Sequence, residues 1–273
     1  MVNGKTRLFV LLGSPVEHAV SPSMQTAAFR ALGLNAAYVP LRVNAEDVPD
    51  IIRIVSLAGG GGNITLPHKE IAARAVTVSS PLVRDTGACN TFWSAPDGVT
   101  EDCRVAGENT DVTGVLSALD RLEAPASGWL LIGTGGSARA VCVAARQRGA
   151  AVTIVSRTPE RQREFEEWLT GLGVRRCQRE QCEVVINATP LGLEPSDPLP
   201  LAPEAVPHAV VALDLVYRMD GTRWSQAMAK RGVRSSDGRE AVIAQGAAAF
   251  KCWYPEYDPP VEVMRAVVNA KLR

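Results

Sequence analysis

The sequence has few of the features that mark membrane, nucleic-acid-binding or disulfide-rich proteins. Its 29 Lys and Arg residues are balanced by 29 Asp and Glu residues, so no excess of charge attracts nucleic acid or an anionic membrane. The apolar run at residues 8–12 is too short for a signal peptide or a membrane-spanning helix. These absences predict a globular cytoplasmic protein that binds a small molecule and has neither a membrane nor a nucleic acid as a partner.

Metal-binding and disulfide patterns are also missing. The chain has no Cys-x-x-Cys pair and none of its three histidines lies at metal-ligand spacing from a cysteine, so we predict no metal. Cys177 and Cys182 are close in the chain, and two free thiols are favoured there over a redox pair. Scattered cysteines favour free thiols in a reducing cytoplasm, and the chain has six of them: Cys89, Cys103, Cys142, Cys177, Cys182 and Cys252.

The first hundred residues alternate short apolar runs with amphipathic stretches of helical period. The alternating segments are, in order, 8–12, 23–32, 37–41, 48–58 and 63–65. Such alternation predicts an α/β domain with a mostly parallel sheet. Ser21 is predicted to be the N-cap of the first helix with Pro22 at its first position, and the four glycines at 59–62 are predicted to form a turn.

A second alternating series begins near residue 130 and predicts a doubly wound, Rossmann-type unit. Its segments are strand 130–132, helix 138–148, strand 151–155, helix 160–169, and strands 184–187 and 210–214. Residues 110–122 have the spacing of a helix that links two domains. We therefore predict an α/β domain at 1–107 with a C-terminal return at 239–273, and a Rossmann-type domain at 108–238.

A glycine-rich motif follows the apolar run at 129–132 and opens the next helix. In Gly133-Thr-Gly135-Gly136-Ser137-Ala138, the first glycine permits a tight turn and the second lets backbone amides approach a pyrophosphate. Ala138 allows close packing of the helix on the strand, and the helix N-terminus favours the phosphate charge. The motif predicts a nicotinamide dinucleotide cofactor.

The residues after strand 151–155 bear on the choice of cofactor. A site that prefers NAD places an acidic residue about twenty positions after the glycines, whereas this chain has Ser156-Arg157-Thr158. Arg157, with Arg161 one helical turn later, can form charge-assisted hydrogen bonds with a 2′-phosphate. The pattern favours NADP, and NAD is not excluded.

Several polar clusters follow glycines or strand ends, and their order along the chain is informative. The chain resembles the shikimate dehydrogenase family over nearly its whole length. The motifs that carry this resemblance are GSPVEHAVSP at 13–22, NITLPHK at 63–69, GACNT at 87–91, GENTD at 107–111, GTGGSARA at 133–140, SRTPER at 156–161, NATPLG at 187–192, DLVY at 214–217 and QGAAAF at 245–250.

The resemblance implies a fold, a reaction and the residues that perform it. It implies that the domain at 1–107, with its return at 239–273, binds the substrate, that the Rossmann-type domain at 108–238 binds NAD(P), and that the active site lies in the cleft between them. The implied reaction is an NADP-dependent interconversion of a ring hydroxyl and a ketone, in which NADPH reduces 3-dehydroshikimate to shikimate. This reaction belongs to aromatic amino acid biosynthesis. Lys69 and Asp111 resemble the catalytic acid–base pair. The residues that resemble substrate ligands are Ser21, Asn63, Thr65, Asn90, Tyr217 and Gln245. The cofactor residues are Gly133, Gly135, Gly136, Ser137, Ala138, Ser156, Arg157, Thr158, Arg161, Asn187 and Thr189.

One departure from the family pattern concerns the loop that holds the substrate carboxylate. Members that act on shikimate usually carry Ser-x-Ser-Pro there, whereas this chain has Ala19 in place of the first serine and retains only Ser21. A lost hydrogen bond to a charged group is worth about 1.5–3 kcal/mol, or about one to two decades of affinity. The departure therefore predicts weak binding of ordinary shikimate.

Two further departures flank the predicted substrate. Gln25-Thr26 replaces a common His-Asn, and Arg218-Met219 replaces a common Asn-Pro. The chain is thus predicted to be a divergent member that acts weakly on shikimate, or on quinate, an aminoshikimate-like compound or a related cyclic hydroxy acid. A non-catalytic dinucleotide-binding sensor remains the alternative from another class. The oligomeric state, monomer or homodimer, stays open.

Overall fold

The computed structural model describes residues 2–95 and 105–272, and the chain divides into two compact units. The first unit contains the described residues up to Thr110 together with Ile243–Lys271, and the second contains Asp111–Val242 with Leu272. The divisions after Thr110 and Val242 fall three and four residues beyond the predicted boundaries at 107 and 238. Which ligand each unit binds stays a prediction.

The first unit is built around a mixed sheet. Among the described residues this sheet has six strands in the order β2-β1-β3-β5-β6-β4. Its elements up to residue 108 are β1 (Arg7–Gly13), α1 (Ser21–Ala31), β2 (Ala36–Arg42), α2 (Val48–Leu57), β3 (Gly61–Ile64), α3 (Lys69–Ala75), β4 (Val78–Ser79), α4 (Pro81–Thr86), β5 (Thr91–Ser94) and β6 (Val105–Glu108).

The strand directions confirm a mostly parallel sheet, with one antiparallel strand. Strand β1 is parallel to β2 and β3, and β4 is parallel to β6, but β5 is antiparallel to both of its neighbours. Strands β4, β5 and β6 were not predicted from the sequence. Strand β4 has only two residues, and the four residues of β5 and of β6 include polar or glycine residues, so none of the three contains a continuous apolar run. Gly107 of the GENTD motif lies within β6.

The four glycines at 59–62 are only partly a turn. Gly59 has a φ of +71° and makes the turn, whereas Gly61 and Gly62 belong to β3. A Cβ on Gly61 would lie 2.5 Å from the Phe92 carbonyl oxygen, and one on Gly62 would lie 2.3 Å from the Val10 carbonyl oxygen. Most of this run is therefore glycine because neighbouring backbones come too close for a side chain.

Helix α1 begins one residue earlier than predicted. Val20 is the N-cap, with helical dihedral angles and no capping side chain, and Ser21 is the first helical residue. The prediction of Ser21 as N-cap is therefore wrong by one position. Pro22 still lies in the first turn, where its missing N–H costs no hydrogen bond.

The second unit has the predicted doubly wound topology. Its five described strands are all parallel in the order β11-β10-β9-β7-β8. The strand order reverses between β7 and β9, the switch point at which such sheets bind ligands beyond the strands' carboxyl ends. Its elements are α5 (Asp111–Arg121), β7 (Gly128–Ile132), α6 (Gly136–Arg148), β8 (Ala151–Val155), α7 (Pro159–Gly171), β9 (Cys182–Asn187), β10 (Val211–Asp214), α8 (Arg223–Lys230) and β11 (Arg234–Ser236).

Two final helices, α9 (Arg239–Trp253) and α10 (Val261–Lys271), supply much of the first unit's core. The Trp253 ring lies 4.8 Å from that of Phe9 in β1, and the Phe250 ring lies 5.9 Å from that of Phe29 in α1. Such tilted aromatic pairs bury large apolar areas and fix the position of α9. In the part of the chain that the structure describes, every helix is too short or too polar to cross a bilayer.

Candidate active site

The glycine loop of the second unit joins the buried strand β7 to helix α6. Gly133 has a φ of +112°, and a Cβ there would lie 3.0 Å from the Thr189 methyl group and 3.1 Å from the Ala188 carbonyl oxygen. Only glycine fits this turn without strain. Gly135, the N-cap of α6, is exposed, with no atom within 4 Å of the place where a Cβ would lie. The loop therefore offers backbone N–H groups at a helix N-terminus beside open space, which fits a dinucleotide pyrophosphate.

Two arginines lie just beyond the carboxyl end of β8. Arg157 and Arg161 are both exposed, and neither guanidinium forms an ion pair with a residue that the structure describes. The local backbone is fixed by Gln162, whose Oε1 accepts from the Ser156 N–H at 3.1 Å, and by the Ser156 hydroxyl, which accepts from the Thr158 N–H at 3.3 Å. The two cations thus stand on an ordered turn, as a 2′-phosphate site requires.

Asn187, predicted to border the cofactor, uses its side chain to build the turn after β9. Its Nδ2 donates to the Leu191 carbonyl oxygen at 3.1 Å and to Asp214 Oδ1 at 2.8 Å. Its Oδ1 accepts from the N–H and the hydroxyl of Thr189, at 3.0 and 2.7 Å. Because Asn187 is fully buried, its observed role is to shape the strand end that faces Gly133.

Asp214 ends the neighbouring strand β10 and is fully buried. Besides Asn187, its carboxylate accepts from the Thr222 hydroxyl at 2.7 Å and from the Val216 N–H at 3.1 Å. Burial outweighs these three donors and raises the pKa of Asp214 to about 6. This carboxyl group ties β9, β10 and the N-terminus of α8 together.

In the first unit, polar side chains from distant parts of the chain form one hydrogen-bonded network. Asn90 Oδ1 accepts from the Thr110 N–H at 2.8 Å and from the Thr91 hydroxyl at 3.0 Å. The Gln245 side chain of α9 approaches the same group, since its Oε1 lies 3.4 Å from both Asn90 Nδ2 and Thr110 Oγ1. The fold therefore brings together Asn90 and Gln245, two predicted substrate ligands that are 155 positions apart.

Asn63 belongs to this network, but its side chain is buried and its hydrogen bonds are made to other protein groups. Its Oδ1 accepts from the Tyr38 hydroxyl at 2.8 Å, and its Nδ2 donates to the Asn90 carbonyl oxygen and the Thr91 hydroxyl at 3.1 and 3.0 Å. Both amide hydrogens are thus used within the protein, and the residue is buried. Asn63 supports the neighbouring polar groups, and its predicted direct contact with substrate is untested.

The departures from the family pattern differ in their surroundings. Gln25 is fully buried, and its Nε2 donates to the Gly246 carbonyl oxygen of α9 at 2.8 Å. It therefore packs α1 against α9 rather than lining a surface. Arg218 instead hydrogen-bonds the Leu193 carbonyl oxygen, while Met219 is 60% exposed.

The loop around Ala19 is held by the C-terminal helix. Lys271 Nζ donates to the Ala19 carbonyl oxygen and to the Ser23 hydroxyl, both at 3.3 Å. Ser21 in the same segment is buried at the start of α1. The segment is thus fixed from outside by a cation, while Ala19 itself offers no hydroxyl group.

The predicted catalytic residues begin two helices, one in each unit. Lys69 is the first residue of α3, and its carbonyl oxygen accepts from the Cys89 N–H at 2.9 Å. Asp111 is the first residue of α5. Lys69, Asp111, Thr65 and Tyr217 are all half-buried, so each retains access to solvent or a ligand.

Three network residues were not named by the sequence analysis. Thr91 and Thr110 lie inside the GACNT and GENTD motifs, so the motifs pointed to them. Tyr38 had no such signal, because its hydroxyl meets Asn63 only in the folded sheet, and burial raises its pKa. Cys103 lies outside the described residues. Within those residues, no group of three or more His, Cys, Asp or Glu side chains could hold a metal ion.

Comparisons with known proteins agree with this arrangement of units and motifs. Residues 11–92 match the family model of the shikimate dehydrogenase substrate binding domain. The chain is 36% identical over 284 residues to the NADP(+) shikimate dehydrogenase of Rubrobacter xylanophilus, covering 99% of this chain and 98% of that protein. It is 33% identical over 283 residues to the enzyme of the same name from a Synechocystis species, covering 97% and 95%.

A solved structure gives the same picture in three dimensions. The shikimate 5-dehydrogenase of Thermus thermophilus, in complex with NADP(H) and shikimate, superimposes with a TM-score of 0.84 at 33% identity. The match covers 99% of this chain and all of that one. The similarity therefore extends over both units and is not confined to the dinucleotide-binding fold.

Proposed function

Because the chain belongs to the shikimate dehydrogenase family, we propose that it is an NADP-dependent oxidoreductase that interconverts 3-dehydroshikimate and shikimate. The observation that most supports this proposal is the hydrogen-bonded network of Asn90, Thr110 and Gln245 in the first unit. Clustered amide and hydroxyl groups of this kind suit a ligand that carries several ring hydroxyls. Binding of the cofactor is supported by the open glycine loop and by Arg157 and Arg161, which form no ion pair with any described carboxylate.

In the direction of reduction, NADPH when bound supplies a hydride to the carbonyl carbon of 3-dehydroshikimate. Lys69 and Asp111 form the proposed acid–base pair that delivers one proton to the carbonyl oxygen, so that the products are shikimate and NADP⁺. The proposed ligands of the substrate are Ser21, Asn63, Thr65, Asn90, Tyr217 and Gln245. The location of the reaction between the two units stays a prediction.

The proposed ligands of NADP follow the carboxyl ends of three strands of the second unit. Gly133, Gly135, Gly136, Ser137 and Ala138 would receive the pyrophosphate at the N-terminus of α6. Ser156, Arg157, Thr158 and Arg161 would receive the 2′-phosphate. Thr189, supported by Asn187, would border the nicotinamide half. The exposed Gly135 supports binding of either dinucleotide, and the two exposed arginines are the observation that favours NADP over NAD.

Ala19 supports a second candidate substrate. A family member without the first loop hydroxyl has one donor fewer for the carboxylate, so this loop contributes less to the selection of shikimate over quinate or an aminoshikimate-like acid. We therefore propose shikimate first and a related cyclic hydroxy acid second. Both substrates use the same hydride chemistry.

We also propose that the protein works in the cytoplasm as a monomer or homodimer with small-molecule partners. The balanced charge gives no field for nucleic acid or an anionic surface. The five described cysteines are free thiols, as is usual in a reducing compartment. Size-exclusion chromatography with light scattering would distinguish the monomer from the homodimer.

A direct assay tests the activity. The purified protein is incubated with NADP or NAD and with shikimate, quinate and aminoshikimate, and reduced cofactor is followed by its absorbance. We expect turnover with shikimate and a preference for NADP. Inactivity with every acid, together with tight cofactor binding, would favour the non-catalytic sensor.

The same assay tests the catalytic pair. We expect Lys69→Ala to lower kcat by about 100-fold or more, because it removes a general acid–base group. The dissociation constant for NADP should change little. Lys5→Ala removes an exposed lysine in the same unit and is the matched control. If Lys69→Ala keeps turnover within about threefold of the parent, the assignment of Lys69 is wrong.

A further inference from the structure

Two cysteine sulfurs lie side by side in the second unit, away from the predicted ligand residues. Cys177 Sγ and Cys182 Sγ are 3.7 Å apart, and Cys182 is the first residue of β9. Cys177 follows Arg176, which forms an isolated parallel bridge with Val152 of β8. Cys177 thus lies in a segment beside the edge strand β8, and Cys182 begins the central strand β9. The pair lies at the amino ends of these strands.

Strand β7 leaves room for this pair. Gly128 in β7 is the partner of Cys182 in the sheet register, and a Cβ on Gly128 would lie 3.1 Å from Cys177 Sγ. It would also lie 2.5 Å from the Gln181 carbonyl oxygen. A larger residue at this position would push the Cys177 sulfur away. The glycine thus permits the close approach of the two sulfurs.

The two thiols differ in accessibility. Cys177 is half-buried and can meet a small reagent, whereas Cys182 is 2% exposed. Burial raises the pKa of Cys182 to about 12, so Cys182 is protonated at neutral pH. The Thr153 hydroxyl donates to the Cys177 carbonyl oxygen, so its oxygen, 3.4 Å from Cys177 Sγ, can accept a hydrogen bond from the Cys177 thiol. Because Cys177 is the more accessible thiol, a reagent reacts with Cys177 first, and Cys182 then reacts with the modified Cys177.

We propose that Cys177 and Cys182 are a modification site at which a small disulfide, such as oxidised glutathione, drives formation of a reversible intramolecular disulfide. The Cys177 thiolate attacks one sulfur of the glutathione disulfide, forms a mixed disulfide and releases one glutathione thiolate. Cys182 gives up its proton, attacks Cys177 Sγ and releases the second glutathione. Two protein thiols are oxidised by two electrons, and one glutathione disulfide is reduced to two thiols.

The geometry requires only a local adjustment. A disulfide bond is about 2.05 Å long, so the sulfurs must approach by about 1.7 Å from their present separation. The half-buried Cys177 side chain has the freedom to make this movement. Strand β9 has six residues, which places the pair about 16 Å from the turn at Asn187. Disulfide formation should therefore leave NADP binding nearly unchanged.

Tryptic mapping tests the proposal directly, because Arg179 lies between the two cysteines and trypsin separates them. The full chain is incubated in graded ratios of oxidised to reduced glutathione, the remaining thiols are alkylated, and the digest is analysed by mass spectrometry. We expect a linked pair of peptides that contains Cys177 and Cys182 and disappears after reduction. At each glutathione ratio, the unreduced digest is compared with a reduced portion of the same sample. The comparison gives the fraction of chains in which Cys177 and Cys182 are linked.

Single substitutions separate the two steps. Cys182→Ser should accumulate a stable glutathione adduct on Cys177, since no second thiol resolves it. Cys177→Ser should leave Cys182 unmodified, and Cys142→Ser is the control, with the linked peptide retained. Circular dichroism verifies that each variant is folded. Absence of the linked peptide in the parent chain, or absence of the adduct in folded Cys182→Ser, would overturn the proposal.

Discussion

Ala19 is the single residue whose identity bears most on substrate choice. Its carbonyl oxygen is held by Lys271, so the loop has an ordered position, but its side chain donates no hydrogen bond. We expect Ala19→Ser to lower the KM for shikimate by about one to two decades, because a hydrogen bond to a carboxylate is restored. Steady-state kinetics with saturating NADP measure the effect.

The control for this substitution is Ala31→Ser, at the exposed C-terminal end of α1, the helix that begins two residues after Ala19. It adds the same hydroxyl group away from the proposed site and should leave the KM unchanged. An unchanged KM in Ala19→Ser itself would show that the missing donor does not limit shikimate binding. A lower KM for quinate but not for shikimate would support the second candidate substrate.

At the residue scale, the sequence was a better guide to which polar side chains lie near one another than to the groups that each side chain contacts. Asn63 lies in the NITLPHK motif, and Gln25 is a departure that was expected to flank the substrate. Both are buried and bonded to other parts of the protein, and a direct contact between Asn63 and substrate stays a prediction. The partner of Asn63 is Tyr38, 25 positions away, and that of Gln25 is Gly246, 221 positions away. Such pairings depend on the packing of whole elements, so a local pattern does not reveal them.

At the scale of elements, the backbone of β3 limits the residues that it accepts. A Cβ on Gly61 would lie 2.5 Å from the Phe92 carbonyl oxygen and 3.2 Å from the Trp93 backbone, neither of which can move without disturbing β5. We expect Gly61→Ala to lower the free energy of unfolding by about 1–3 kcal/mol, as overpacking does in protein cores. Urea unfolding followed by tryptophan fluorescence measures the loss.

Gly171→Ala is the matched control for Gly61→Ala. Gly171 is the last residue of α7, its φ is not positive, and nothing lies within 4 Å of the place where its Cβ would be. Alanine should be neutral or slightly stabilising there, because it reduces the entropy of the unfolded chain. Equal stability of the two variants would mean that β3 and β5 separate at little cost.

The success of prediction for each element followed the length and burial of that element. The strands β7, β8 and β9 and the helices between them were predicted because long, regular apolar periods mark a parallel sheet covered on both faces. Strand β5 was missed because it has four residues and pairs antiparallel with β6, across a segment outside the described residues. A period of two is not recognisable in so short a strand.

At the scale of the whole molecule, the two-unit organisation was predictable, whereas the coupling of stability to pH was not. The alternation of strands and helices, together with the order of the motifs, already implied an α/β protein with a Rossmann-type unit. The buried carboxyl group of Asp214 had no signal in the sequence except its place in DLVY. Its surroundings arise from the meeting of three elements, which only the folded chain provides.

Asp214 makes the stability of the second unit depend on pH in a defined direction. Burial raises its pKa from 3.8 to about 6, so the folded state holds the proton more tightly than the unfolded state does. Its stabilising contribution is therefore fully present below about pH 3.8 and is lost as the pH rises through about 6. A shift of this size corresponds to at most about 3 kcal/mol in the free energy of unfolding.

Asp214→Asn isolates this contribution, because asparagine keeps the shape of the side chain but does not titrate. The free energy of unfolding of the parent minus that of the variant should fall by up to about 3 kcal/mol between pH 4 and pH 7. Urea unfolding at half-unit pH steps measures the difference, and the other carboxyl groups cancel because both chains share them. If the difference rises with pH instead, the donors from Asn187, Thr222 and Val216 outweigh burial, and the ionised carboxylate is the form that the fold prefers.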